Sequence, residues 1–172
     1  MRNPTLGCLG LIALLTLCGC GGYQWTRVGS GAYGAGSIGF EAFENQTREP
    51  GLIAPLMVAL RRTAVEDGTF DVVGAGEADI EVTGQLRNYQ RRGLSFARES
   101  IEVVRDFRMT LVAEVTAVDK RRGVTLFENR RIEANAALKS APDLAAAERV
   151  IATNLADELA RKVVSAIADG DW

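Results

Sequence analysis

The chain has 172 residues, 47% hydrophobic and 24% charged, with a net charge of −2 and no histidine. That length suits one domain with a modest core, and the slightly acidic balance argues against a nucleic-acid partner, which normally calls for a basic domain. With no histidine, and with its three cysteines all inside the first 20 residues, the sequence lacks the usual ligand sets for zinc and offers no nucleophilic thiol to a domain further on.

After Arg2, an apolar stretch runs from Leu6 to Leu17. It is about half of the roughly 20 residues that a membrane-spanning helix needs, so it reads as the core of a signal peptide. It ends in Leu17-Cys18-Gly19-Cys20, which resembles the lipobox of bacterial lipoproteins. That resemblance implies a diacylglyceryl group on the Cys20 sulfur, cleavage before it, and acylation of the new amino terminus. Cys8 has too short an apolar run ahead of it to serve. Gly21 stands where Gram-negative lipoproteins held at the inner membrane usually carry Asp, so the outer membrane is expected. Each buried methylene contributes about 0.8 kcal/mol, so several acyl chains anchor lastingly where one anchors marginally. The expected division is a signal peptide over 1–19, a lipidated cysteine and glycine-rich tether over 20–36, and a single domain over 37–172. The mature chain then has 153 residues, 19 basic and 22 acidic groups, and neither a free thiol nor a disulfide.

Residues 21–36 hold six glycines, a density that makes a flexible tether. Tyr23, Trp25 and Tyr33 within it suit either a lipid interface or a packing surface. Ser37 to Phe43 alternates, with Ile38, Phe40 and Ala42 on one face, and predicts a first strand. Asn45-Gln46-Thr47 breaks the pattern and Pro50-Gly51 opens a helix. There Leu52, Leu56, Leu60 and Ala64 recur every four residues, with Ile53 and Met57 beside them. Pro55 belongs in the first turn, because inside a helix it costs about 3 kcal/mol. Asp67-Gly68 is the stop. Phe70 to Val73 reads as a short strand or an extended lead-in.

Asp79 to Tyr89 alternates, with Ile80, Val82 and Leu86 facing one way. Gly84 falls among them and marks a bulge or a close backbone approach. The longest run, Ile101 to Val118, places Ile101, Val103, Phe107, Met109, Leu111, Ala113, Val115 and Ala117 on one face, interrupted by Arg105. Asp119-Lys120-Arg121-Arg122-Gly123 predicts a hairpin turn. The return strand, Val124 to about Leu138, sets Val124, Leu126, Ile132, Ala134, Ala136 and Leu138 inward. Ser140-Ala141-Pro142-Asp143 resembles a capping box. Ile151, Leu155, Leu159, Val163 and Ile167 then repeat at spacing four, with Arg161 and Lys162 where the helix dipole favours cations. The order β-α-β-β-β-α predicts an α+β two-layer sandwich, both helices on one face of a mixed or antiparallel four-stranded sheet.

Several of these pieces stand together in order: Cys20 with Gly21-Gly22-Tyr23 behind it, a strand ending in Phe43-Glu44-Asn45-Gln46-Thr47, and Glu49-Pro50-Gly51-Leu52 at the helix start. Ala78-Asp79-Ile80 then leads into the strand with Gly84, followed by the long meander and a terminal helix closing at Trp172. The combination resembles the LptE family, the lipopolysaccharide-assembly lipoproteins of Gram-negative outer membranes, over essentially the whole mature chain. The extra glycine of the tether departs from that family's usual short run. The resemblance implies a non-catalytic plug in the lumen of the β-barrel LptD, which helps the barrel assemble and takes part in inserting lipopolysaccharide into the outer leaflet. Phe-x-Asn-x-Thr also occurs in curli-secretion-type lipoproteins, whose domain likewise begins strand then helix. That alternative implies a self-assembling module of another envelope or secretion complex.

No glycine-rich loop opens a helix with Lys-Ser or Lys-Thr behind it, and the carboxylates are scattered, so neither catalysis nor a cofactor is expected. The candidates for contact with lipopolysaccharide are basic. Arg91 and Arg92 follow Tyr89 near a strand end, and Lys120, Arg121 and Arg122 crowd the hairpin tip. Lipid A and the inner core carry phosphates, which guanidinium groups bind bidentately. Equally, a hairpin tip is charged simply because it is solvated. Arg105 either snorkels, forms an ion pair or touches a partner. Phe43, Asn45 and Thr47 read as architectural, the two polar side chains satisfying N–H groups at the helix start. Tyr89 and Phe107 read as core.

Overall fold

The computed structural model describes residues 36–93, 106–139 and 144–170. The expected signal peptide, Cys20 and the tether up to residue 35, together with Ile101, Val103, Arg105, Ser140-Ala141-Pro142-Asp143 and Trp172, lie outside the described residues. The elements are β1 (Gly36–Phe40), β2 (Glu44–Asn45), α1 (Ile53–Asp67), β3 (Phe70–Val72), a 3-10 turn (Ala75–Glu77), β4 (Ile80–Gly93), β5 (Asp106–Asp119), β6 (Val124–Lys139) and α2 (Leu144–Ala168).

Six strands make one sheet in the order β3-β1-β4-β5-β6, with β2 also beside β4. β1 pairs in parallel with β3 and with β4, and β2 in parallel with β4. β4, β5 and β6 form an antiparallel meander. The α+β class and the mixed sheet are as expected, but there are six strands where the alternation predicted four. Two local causes account for the difference. Phe70–Val72 pairs with β1 as a true edge strand. The expected first strand stops at Phe40, and a two-residue strand, β2, forms just past its expected end at Phe43, the chain staying on β4 throughout: Glu41 N–H donates to the Val82 carbonyl at 3.0 Å, and Gln46 N–H to the Leu86 carbonyl at 2.9 Å. The break turns Ala42 outward and puts Phe43 in the core, 4% exposed.

Spacing of four builds the helices as the sequence predicts. Leu52, Leu56, Leu60 and Ala64 are buried, and so are Ile151, Leu155, Leu159, Val163 and Ile167. They meet Ile80, Val82 and Leu86 of β4, alternate residues of β5 from Met109 to Ala117, and Ile132, Ala134 and Leu138 of β6 in one cluster. Each large side chain so buried stabilises the fold by about 1.5–3 kcal/mol. Pro55 sits in the first turn of α1, and Gly68 ends that helix at φ 72 with its N–H on the Ala64 carbonyl. The helices lie together on one face, tied across their outer side by Arg62 to Asp157 at 2.6 Å.

In β6 the register slips twice between its partners Val115 and Val118, and Asn129 takes a positive φ of 49. Its N–H is held by Thr116 Oγ1 at 3.0 Å. The slip brings Phe127 into the core beside Leu126, while Val124, expected inward, is 50% exposed at the hairpin end. Arg161 and Lys162 also differ from expectation, since α2 continues to Ala168 and they stand before its last turn. Arg161 pairs with Glu158 at 2.6 Å, and that hydrogen bond holds the Glu158 carboxyl below its usual range. Lys162 Nζ donates to the Glu133 carbonyl at 2.7 Å. A lysine on an outer carbonyl blunts an edge strand against further pairing.

Ser37 and Asp79 join β1 to the entry of β4 reciprocally. Ser37 N–H donates to Asp79 Oδ2 at 3.0 Å, and Asp79 N–H to Ser37 Oγ at 2.9 Å. The Ser37 backbone donor holds the Asp79 carboxyl below its ordinary 3.8. A lowered folded pKa means that the unfolded chain binds the proton more readily, so the contribution is full above that ordinary value and is lost as pH falls through the folded one. Asp79→Asn should therefore be less stable than the parent at neutral pH, with the gap closing in acid. Urea melts at pH 7 and near pH 3 check this, and a gap independent of pH would contradict it.

Candidate functional site

β4 carries the basic candidates to opposite ends of the sheet. Ile80 is in register with Asp119, and Lys120 N–H donates to the Asp79 carbonyl at 2.7 Å, so the hairpin tip lies beside the start of the strand. Arg91 and Arg92 lie near its other end. At about 3.3 Å per residue the two clusters are about 40 Å apart. One phosphate-bearing headgroup cannot touch both.

At the tip, Lys120 and Arg122 each have a carboxylate. Lys120 pairs with Glu81 and donates to the Ala75 carbonyl at 3.3 Å. Arg122 Nε lies 3.6 Å from Asp119, whose other oxygen accepts the Arg122 backbone N–H at 2.8 Å. Asp119 is only 1% exposed and braces the turn from inside. Arg121 is close enough to Asp79 to help lower its pKa. The Gly123 φ of 66 completes the turn.

At the far end, neighbouring arginines face opposite ways. Arg91 turns to the helix side, where Nη1 meets Glu148 Oε1 at 2.8 Å and the guanidinium lies 5.1 Å from the centre of the Phe107 ring. Its aromatic partner is thus Phe107, not the adjacent Tyr89. Both rings pack against the core while staying partly exposed. Burial, then the charges of Glu49 and Glu148, push the Tyr89 hydroxyl pKa up.

Arg92 opens onto the face of the sheet away from the helices, which along this stretch is bare among the described residues, directly across from Arg108 of β5. Such cross-strand partners have Cβ atoms about 4.5–5.5 Å apart, and like charges there repel. Among the described residues neither Arg92 nor Arg108 meets a carboxylate. Two unneutralised guanidiniums side by side are suited to an oxyanion, each offering forked donors. Arg108 escaped sequence reasoning because it occupies an ordinary polar slot in an alternating strand. Only the register reveals its neighbour.

The rest of the bare face is polar. Arg87 meets Glu114 at 2.8 Å, Gln46 donates to Gln85 at 2.6 Å, and Thr110 donates to Asn135 at 2.8 Å. Val112 of β5 points to that side and is buried, 3% exposed, within a hollow edged by Asn88, Arg92, Arg131 and Glu133.

The Asn45–Glu49 loop is architectural, though not in the way expected. Asn45 Oδ1 accepts from Thr47 N–H at 3.0 Å and from Thr47 Oγ1 at 2.7 Å, while Asn45 Nδ2 donates to the Glu49 carbonyl at 2.8 Å. Thr47 Oγ1 in turn accepts the Glu49 N–H at 3.2 Å. These side chains knot the loop to itself, and the N-cap of α1, Leu52, receives no side-chain bond. Beside the loop, a cleft of about 600 Å³ opens between Tyr89 and the starts of both helices. Among the described residues no acidic or thiol cluster could hold a metal ion, and no helix is long and apolar enough to cross a membrane.

A family model for lipopolysaccharide assembly, LptE, matches residues 35–167, which takes in every described strand and nearly all of α2. The chain belongs to the LptE family. It is thus a lipopolysaccharide-assembly protein of a lipoprotein family. No curated protein sequence matches it. Among solved structures, a protein from Chlamydia trachomatis is similar with a TM-score of 0.57 at 10% identity, over 78% of this chain and 96% of that one. A lipoprotein from Caulobacter crescentus gives 0.52 at 16% identity, over 76% and 87%. A protein from Xanthomonas campestris gives 0.57 at 11% identity, over 79% and 86%. These likenesses show a shared fold.

Proposed function

We propose that this LptE-family chain is an outer-membrane lipoprotein, anchored through Cys20, that plugs an LptD-type β-barrel, helps it assemble, and takes part in inserting lipopolysaccharide into the outer leaflet. The Arg92–Arg108 pair at the far end of a polar sheet face carries this reading. The lumen of an outer-membrane barrel is polar, and the bare face, with Gln46, Gln85, Arg87, Glu114 and Thr110, suits such a lining. Gly36 begins β1, and Ile38 is in register with Ile80, so the tether joins the domain at the hairpin-tip end. The arginine pair then stands about 40 Å from that point, more than the roughly 30 Å thickness of a bilayer core. An anchor in one leaflet is compatible with phosphate contact at the other. Of the basic candidates, Arg92 with Arg108 fits lipid A phosphate best, because Arg91 is held by Glu148 and Lys120 and Arg122 by their own carboxylates.

The test is purification from outer membranes in mild detergent. A large β-barrel in one-to-one ratio, with barrel levels falling on depletion of this protein, is the expected result. A homo-oligomer without a barrel would overturn it in favour of a self-assembling, curli-secretion-like module.

A further inference from the structure

β2 leaves β4 well before β4 ends. Gln46 N–H is the last donor to it, on the Leu86 carbonyl at 2.9 Å, and the knotted loop then carries the chain away. β4 continues to Gly93 with β5 on one side. Among the described residues no strand lies on the other side of this stretch. The Leu86 carbonyl faces β2, and β4 takes an extra residue between Leu86 and Asn88. The alternation of backbone groups therefore advances by one, and the outward N–H and C=O beyond the bulge are those of Tyr89 and Arg91. The sheet's long outer edge, β6, has Lys162 on its Glu133 carbonyl; no side chain does the same for Tyr89 or Arg91 among the described residues.

Two hollows flank this length of edge, and Tyr89 borders both. On the helix side lies the cleft of about 600 Å³, with Pro50, Leu52, Pro55 and Ala152 among its walls and Glu49 and Glu148 beside them. On the bare side a smaller hollow of about 330 Å³ is bounded by Thr47, Arg48, Arg87 and Asn88. Successive side chains of a strand point to opposite faces, so an unpaired edge with one hollow on each side has the shape that an added strand needs. Main-chain bonds supply attachment in this mode and the side pockets supply selectivity. The pockets differ in chemistry. The helix-side walls favour an apolar side chain. On the bare side Arg87 is already met by Glu114, whereas Arg48 has no partner among the described residues, which favours a carboxylate.

We propose that the β4 edge at Tyr89 and Arg91 is the docking site for an extended segment of a partner protein. The segment alternates apolar residues toward the helices with an acidic residue toward Arg48. This does not depend on the barrel reading, since any partner with such a segment satisfies it.

The test titrates the full-length, nitrogen-15-labelled lipoprotein in detergent micelles with a short capped peptide alternating leucine and glutamate. The amide signals of Tyr89 and Arg91 should move and gain protection from solvent exchange. Arg48→Glu should weaken binding about tenfold, and a peptide with lysine for glutamate should bind correspondingly less well to the parent. Arg91→Ala keeps the outward N–H and should still bind. Arg91→Pro removes it at an edge position, where proline is tolerated, and should not bind. Thermal melts show whether either variant has lost its fold, and in that event exchange protection in the parent decides. No binding at millimolar peptide, perturbed amides elsewhere on the domain, or equal affinity for the leucine-glutamate and leucine-lysine peptides would each overturn the proposal.

Discussion

Phe43→Ala and Gly84→Ala should each destabilise the domain, and together they should cost clearly less than their sum. A Cβ built on Gly84 falls 2.4 Å from Phe43 Cε1, with Cζ at 2.8 Å and Cδ1 at 2.9 Å. The ring is buried and belongs to the main cluster, so it has no solvent side to retreat into. Overpacking of this kind costs about 1–3 kcal/mol. Removing the ring leaves a cavity in the core, for about 3–5 kcal/mol. In the double variant the new methyl enters space that the ring has vacated, so a coupling of about 1 kcal/mol or more is expected. Urea melts of the four proteins measure it, and costs that simply add would refute the contact. The pair matters beyond stability. Phe43 sits at the break between β1 and β2, next to the start of the strand that follows β4.

Gly84 shows how much the sequence disclosed. Its place on an apolar strand face announced a bulge or a close approach, but nothing local chose between them or named the ring that approaches. The helices were legible for the same local reason: Leu52 to Ala64 and Ile151 to Ile167 carry their periods in the chain itself, and Gly68 and Gly123 mark their own positive φ. What stayed hidden was register. A strand's period is two, so one extra residue sends everything beyond it to the other face. The extra residue after Leu86 decides that Arg92 is opposite Arg108, and the slips near Asn129 put Phe127 inside. Neither follows from alternation. The hairpin tip misleads in the same non-local way, because Glu81 neutralises Lys120 from a strand some forty residues earlier.

Reversing Arg92 or Arg108 to glutamate should move stability and ligand binding in opposite directions. Each arginine is directly across from a like charge, so a single reversal creates an opposite-charge cross-strand pair, worth about 0.2–1 kcal/mol. Melting temperature should hold or rise slightly. Binding of phosphorylated lipid A should fall about tenfold for either single variant and about a hundredfold for the double, as charge-assisted bonds of about 1.5–3 kcal/mol are lost. Lipid A stripped of its phosphates should bind parent and variants alike, and reversing Arg121 at the opposite end should leave affinity unchanged. Binding in detergent alongside thermal melts provides both readings. If the single reversals destabilised the fold and left phosphorylated lipid A bound, the arginines would be structural and the site would lie elsewhere. The expected pattern follows from one physical fact. Two adjacent cations without a carboxylate cost the sheet stability when empty, and an anion resting on both of them removes that cost.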